Sequence, residues 1–355
     1  MKSRTGAAEL SALIIAGGSG TRFWPASRAS RPKPLFSVDG RRTLLAETIR
    51  RLRPLVPRDR IFVLAAQTHA TPFRRAVEGL QPRRNLIIEP AARGTAVAIA
   101  YGAAVIERRK GPGVIAVMPA DHLIEPAEGF RATLRDAATV ASTEASIVVI
   151  GIPPTHADPG LGYQKVGKAR GSGFAVDRFV EKPPLARARR MVESGNYLWN
   201  AGMFVMSSAT LDSELERTVP SLARAIRAIA GKPGSQVAPR YLKLSYDSFD
   251  REVVEKSRRV LGVRARFNWH DVGSWEGLRL ALGGHHRNIL RGDVVALDSN
   301  RVIAQSGKRL MVLFGVDDIV AIDTDDAVLV AHRSRSHELR RVSDELARRS
   351  RHKYL

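Results

Sequence analysis

Short runs of β-branched and other apolar residues alternate with segments of helical length through the first half of the chain, and this rhythm constrains the fold more than any other feature. Runs at 10–16, 60–65, 85–88, 114–118 and 146–150 read as buried strands, each too short for a helix. Between them, 43–53, 95–109 and 129–141 carry amphipathic patterns of helix length. Strands separated by helices pair in parallel through right-handed crossovers, because a right-twisted strand feeding a helix packs back onto its sheet only that way. A sheet of this kind binds ligands outside the carboxyl ends of its strands.

After Gly151 the rhythm changes. Segments 163–167 and 174–180 predict a β-hairpin, 185–194 a helix and 203–206 a strand, followed by a polar helical stretch to about Val254. Beyond Gly283, short strands are predicted at 293–297, 302–305, 310–314, 319–323 and 328–331, then a terminal helix over 336–349. They are too regular for a linker and predict a small β-module, coiled as a short β-helix although no strict repeat is visible. The chain therefore divides into 1–283 and 284–355.

Apolar residues make up 44% and charged residues 26% of the 355, the balance of a soluble globular protein. No apolar run approaches the roughly 20 residues of a membrane helix, and the opening MKSRTGAAEL lacks a secretory core, so the cytosol is expected. The absence of cysteine excludes disulfides and thiolate metal sites. A net charge of +22 suits an anionic partner or an arginine-decorated surface. The cations concentrate at 41–53 and 340–353 without interleaved aromatics, which favours decoration and predicts no nucleic-acid partner.

The most informative segment is 13–36, LIIAGGSGTRFWPASRASRPKPLF. A buried strand delivers a tight turn of Gly17, Gly18, Ser19 and Gly20, then Thr21 and Arg22. Glycines admit positive φ and let backbone N–H groups approach phosphate oxygens unobstructed. Arg22 adds a fork suited to phosphate, and Lys33 a compact second charge. A dinucleotide fingerprint would need glycine at Phe23, and a P-loop would need Lys-Ser/Thr after the last glycine; neither is present.

GGSGTRFWP followed by RPKP resembles the signature of the sugar-nucleotide pyrophosphorylases, a nucleotidyltransferase family. VMPADH (117–122), FVEKP (179–183), WNAGMF (199–204) and FNWHDVGSW (267–275) follow in that family's order. EPAARGTA (89–96) and the ending VDDIVAIDTDDAVLVAHRS are similar to blocks of its mannose-1-phosphate guanylyltransferase branch. The resemblance implies a three-layer α/β/α, Rossmann-like nucleotide-binding domain with a mostly parallel sheet and a small C-terminal β-module. It also implies transfer of the guanylyl group of GTP to mannose 1-phosphate with Mg²⁺ as cofactor, and leaves a homodimer open.

By resemblance, Ala16, Gly17, Gly18, Ser19, Gly20, Thr21, Glu89 and Thr95 meet the nucleotide, and Gly162, Glu181 and Asn200 the sugar. Arg22, Lys33 and Lys182 would align and neutralise the phosphates, and Asp121 and Asp271 would hold the metal. Each has a structural alternative: a turn cap for Asp121, a helix cap for Asp271, a surface ion pair for Glu181–Lys182 and a solvated strand end for Glu89. Trp199 and Phe204 are expected in the core, and His122 and His270 either behind the metal ligands or in structural positions. Two departures bear on substrate choice: Gln164 stands where the family's sugar loop has glycine and is expected to narrow the pocket, and Gly94 stands where the branch commonly has asparagine. Another hexose 1-phosphate or nucleotide, or a non-catalytic sugar-nucleotide sensor, are the alternatives.

Overall fold

A computed structural model describes residues 9–17, 20–28, 31–38, 41–282 and 288–355. The expected runs form strands. In chain order these are β1 (Leu10–Ile15), β2 (Ile61–Ala66), β3 (Leu86–Glu89), β4 (Val114–Pro119), β5 (His122–Glu125) and β6 (Ile147–Ile152). They are followed by β7 (Gly162–Arg170), β8 (Gly173–Val180), β9 (Tyr197–Ser207), β10 (Val260–Arg264) and β11 (Asn268–Asp271). Nine of them make one sheet in the order β3-β2-β1-β4-β9-β6-β10-β8-β7. Its first four strands pair in parallel, as do β6 and β10, while β9 runs antiparallel between β4 and β6.

Helices α1 (Leu44–Leu52), α2 (Ala70–Ala76), α3 (Thr95–Lys110), α4 (Ala127–Glu144), α5 (Leu185–Glu193), α6 (Ser208–Thr218), α7 (Pro220–Ile229) and α8 (Gly234–Tyr241) cover this sheet. Successive strand residues face opposite sides, so Ile14 and Val63 pack under Ile49, Phe73 and Leu134 of α1, α2 and α4. Leu13 and Leu64 pack under Ile99, Leu211 and Ile226 of α3, α6 and α7. Each such fully buried side chain contributes about 1.5–3 kcal/mol. The result is the three-layer α/β/α arrangement expected.

The strand predicted at 203–206 is the centre of β9, which begins at Tyr197. Asn200 and Gly202 interrupt the apolar run, but a bulge against β6 and the left-handed Gly202 (φ +63°) let the strand continue through them. This brings Asn200 opposite both Gly151 and Gly162.

A helix α9 (Trp275–Ala281) ends the α/β domain, and the expected boundary at 283/284 lies outside the described residues. Six short strands follow: β12 (Ile289–Arg291), β13 (Val294–Leu297), β14 (Ile303–Gln305), β15 (Met311–Phe314), β16 (Ile319–Asp323) and β17 (Val328–His332). The chain alternates between the sheets β12-β14-β16-β17 and β13-β15, with parallel pairing along β12, β14 and β16 and between β13 and β15. That is a short β-helix. Ala304, Leu313 and Ala321 fill its interior. Ile303, Val320 and Ile322 face outward and share a core with Phe23, Trp24 and Trp275 of the α/β domain. The terminal helix starts later than predicted, as a 3₁₀ turn at Arg333–Glu338 precedes α10 (Arg340–Arg348). Among the described residues, no helix is long and apolar enough to cross a membrane.

Candidate active site

The carboxyl ends of β1, β3 and β4 share one edge of the sheet because these strands are parallel. The glycine turn leaves β1 there. Ala16 is buried and its N–H is held by the Leu64 carbonyl at 2.8 Å, while Gly17 opens to solvent. Gly18 and Ser19 lie outside the described residues. Gly20 is left-handed (φ +59°), and a Cβ there would meet the Lys33 Cβ at 2.6 Å, so only glycine fits. Thr21–Phe23 then form a 3₁₀ turn pinned by Phe23, whose ring packs 5.6 Å from Phe36 and 5.1 Å from Trp275. Arg22 is left exposed beside Gly273, without an ion pair among the described residues.

Asp121 and Asp271 meet here although they are distant in sequence. β5 and β11 pair antiparallel with Asp271 opposite His122, which sets Asp271 beside the residue preceding β5. Lys33 lies between them, its Nζ 2.6 Å from Asp121 Oδ2 and 3.6 Å from Asp271 Oδ1. Burial alone would raise the Asp121 carboxyl, but the Lys33 charge first, then the His122 charge and the Lys33 hydrogen bond, together outweigh it and hold the group below the usual carboxylate range. Asp271 ends β11, and the cap of α9 is Ser274, whose Oγ accepts from Gly277 N at 3.1 Å. His122 is buried and its Nδ1 accepts from Trp269 Nε1 at 3.1 Å, a structural position; burial lowers its pKa. Two carboxylates already gathered on one cation fit Mg²⁺, which needs one or two when phosphates supply the rest. A cleft of about 390 Å³ opens over Gly17, Arg22, Lys33 and Asp121.

On the adjoining strands, Gly162, Glu181 and Asn200 come together. A Cβ at Gly162 would lie 2.6 Å from Glu181 Oε2 and 3.2 Å from Asn200 Cβ, so the glycine permits the approach. Gly202, two residues beyond Asn200, lies against Pro119, which joins this cluster to the Asp121 edge. Lys182 is exposed and left-handed (φ +48°), a conformation that a non-glycine residue holds only where its surroundings enforce it. Its Nζ is 3.5 Å from Glu181 Oε1.

The polar stretch before β10 supplies two residues that sequence reasoning missed. Asp250 opens a π-helical turn and accepts a hydrogen bond from Asn200 Nδ2 at 2.7 Å, and Glu255 Oε1 accepts from Glu181 N at 2.7 Å. Burial, then the Asp250 charge, pushes Glu181 up to about 7; burial pushes Asp250 up to about 6. Four acids within 247–255 of a strongly basic chain were the available signal.

Glu89 ends β3, 3% exposed, and its Oε2 accepts from the buried Tyr241 hydroxyl at 2.5 Å. Burial pushes its carboxyl up to about 6 against the lowering effect of that bond. Thr95 opens α3, and its Oγ1 accepts from Phe249 N at 2.9 Å, tying the 246–250 segment to this edge. That segment also explains Gly94: φ is +90°, and a Cβ would lie 2.1 Å from the Tyr246 carbonyl oxygen, so asparagine cannot stand here without displacing it. Gln164 corrects the sequence reading. It is fully buried, donating to the Trp199 carbonyl at 3.3 Å, over Gly151 and Gly262, and exposes no surface with which to narrow an open pocket. Trp199 and Phe204 are buried, as expected.

Comparison with known proteins shows the family. Residues 11–283 match the Nucleotidyl transferase family, and 292–346 the MannoseP isomerase/GMP-like beta-helix domain. The xanthan biosynthesis protein XanB of Xanthomonas campestris pv. campestris is 36% identical over 345 residues, covering 94% of this chain and 72% of that protein. Mannose-1-phosphate guanylyltransferase RfbM of Salmonella typhimurium is 32% identical, with 96% and 73% covered. A crystal structure from Thermus thermophilus, described as a mannose-1-phosphate geranyltransferase, superposes with a TM-score of 0.87 at 32% identity, covering 96% of this chain and 99% of that one.

Proposed function

Because the chain belongs to the nucleotidyl transferase family, we propose that it is a mannose-1-phosphate guanylyltransferase, with 1–283 carrying the reaction and 284–355 docked on it. A phosphate oxygen of mannose 1-phosphate attacks the α-phosphorus of GTP. The bond from that phosphorus to the β-phosphate oxygen breaks, and GDP-mannose and pyrophosphate are formed. The observation that carries this reading is the single edge on which Lys33, Asp121 and Asp271 converge beside Arg22, with the Glu181–Asn200 cluster on the adjoining strands.

The nucleophile is already ionised, so the protein's task is to align two anions and neutralise them. The glycine turn from Ala16 to Thr21 receives the triphosphate and Arg22 the departing phosphates. Lys33 reaches the α-phosphate, and Lys182 holds the sugar phosphate against it. Glu181, Asn200 and the Gly162 backbone take the sugar hydroxyls, and Glu89 reads guanine through the carboxylate oxygen that Tyr241 leaves free. Thr95 supports the base end through its bond to Phe249. Asp121 and Asp271 would hold Mg²⁺, which draws charge from the phosphate oxygens when bound.

The test is incubation with mannose 1-phosphate and GTP labelled in the α-phosphate. The label should appear in GDP-mannose and never on the protein. A labelled protein intermediate, or label released only as GMP, would overturn the reading.

A further inference from the structure

The sequence treats the basic segment 340–353 as surface decoration, and most of it is. Arg333 pairs with Glu276 and Asp318, Arg335 and Arg341 with Glu338, and Arg348 and Arg349 with Glu345. Arg340 differs. Its side chain is exposed and has no hydrogen bond or ion pair among the described residues, which is true of Arg351 as well, but only Arg340 of the two lines the cleft over the glycine turn, together with His337.

Its position is fixed by the docking of the β-helix. Leu339, beside it, is buried in the core that holds Phe23 and Trp275. Ser336 Oγ accepts from Glu276 N at 3.4 Å. Arg28 pairs with Asp326 at 2.7 Å, and Trp24 Nε1 donates to the Tyr354 carbonyl at 2.8 Å, so the turn is clamped to the module through residues just beyond Arg22. The cleft thus presents Arg22 and Lys33 from one domain and Arg340 from the other, with Asp121 the one carboxylate among the described residues that line it. An excess of cations around this opening, with Arg22 and Arg340 both lacking an ion pair among the described residues, selects a polyanion.

We propose that Arg340, with His337, completes the site for the β- and γ-phosphates of the nucleotide, and so holds the departing pyrophosphate. The C-terminal module would then be part of the active site and not only a brace. This rests on the reading of the edge as a triphosphate site, and the experiment separates the two.

The full-length protein is measured in the reverse direction, from GDP-mannose and pyrophosphate, alongside direct calorimetric binding of pyrophosphate alone. Arg340→Ala should raise the KM for pyrophosphate about 10- to 100-fold, the loss of a charge-assisted contact, with the KM for GDP-mannose unchanged. Arg340→Lys should fall between. Arg341→Ala removes the same charge one residue on, where it pairs with Glu338, and should behave as wild type. An unchanged pyrophosphate KM and affinity in Arg340→Ala, or an equal loss in Arg341→Ala, overturns the proposal. If wild type forms no GTP, the guanylyltransferase reading fails, and the calorimetry decides separately: pyrophosphate binding lost in Arg340→Ala supports the site, and no binding by wild type overturns it.

Discussion

Replacing Lys33 by methionine keeps the apolar stem in place and deletes only the ammonium that joins Asp121 to Asp271. The Lys33 side chain is 11% exposed, and its 2.6 Å contact with Asp121 corresponds to about 6 kcal/mol of attraction at an effective dielectric of 20, most of it offset by desolvation. Removing one partner of a buried pair costs about 3–5 kcal/mol. Asp121 and Asp271 retain 22% and 42% of their exposure, so water screens the orphaned carboxylates and about 1–3 kcal/mol is expected. Urea unfolding at rising MgCl₂ measures it. The variant should regain stability as Mg²⁺ fills the gap, by about 2.7 kcal/mol at a hundredfold excess over Kd, and wild type should gain less because its ammonium competes. Turnover should stay low in the variant, with the α-phosphate missing its lysine. Equal Mg²⁺ responses in the two proteins would show that the carboxylates do not form a cation site.

Asp271→Asn should lower turnover by several orders of magnitude while changing stability by no more than about 1 kcal/mol, since Asp271 caps no helix and its ion pair with Lys33 is partly exposed; a large retained rate would assign it a structural role. Lys182→Ala should raise the KM for mannose 1-phosphate far more than that for GTP, and the reverse split would place this lysine on the nucleotide. Glu89 has a folded value near 6, above its ordinary 4.5, so its contribution is full below pH 4.5 and is lost as pH rises through 6. Glu89→Gln should remove that loss of about 2 kcal/mol, read as a flatter stability profile from pH 4.5 to 7 in urea titrations. The same variant should weaken GTP relative to ATP by about 1–3 kcal/mol, and equal losses would remove Glu89 from base reading.

What the sequence disclosed was local. The glycine turn, Arg22 and Lys33 sit within one short segment, and the strand–helix alternation that delivers them is a periodic signal. The meeting of Asp121 with Asp271 is not periodic; it depends on β5 pairing with β11, two four-residue strands that no pattern announces. Asp250 reaches Asn200 only because a π-turn forms against β9. Gln164 was misplaced because it shares a face with Gly162, yet two residues along a strand carry it about 7 Å from the edge into the sheet. Arg340 could not be told from its neighbours, since all are arginines in one basic run and only the fold shows which one lines the cleft.

The most direct measurement is pyrophosphate release by the full-length protein across the four nucleoside triphosphates and a panel of hexose 1-phosphates. The account predicts release that requires both substrates and is fastest for GTP with mannose 1-phosphate. Release that is independent of the sugar phosphate, or preference for a different pair, would contradict it.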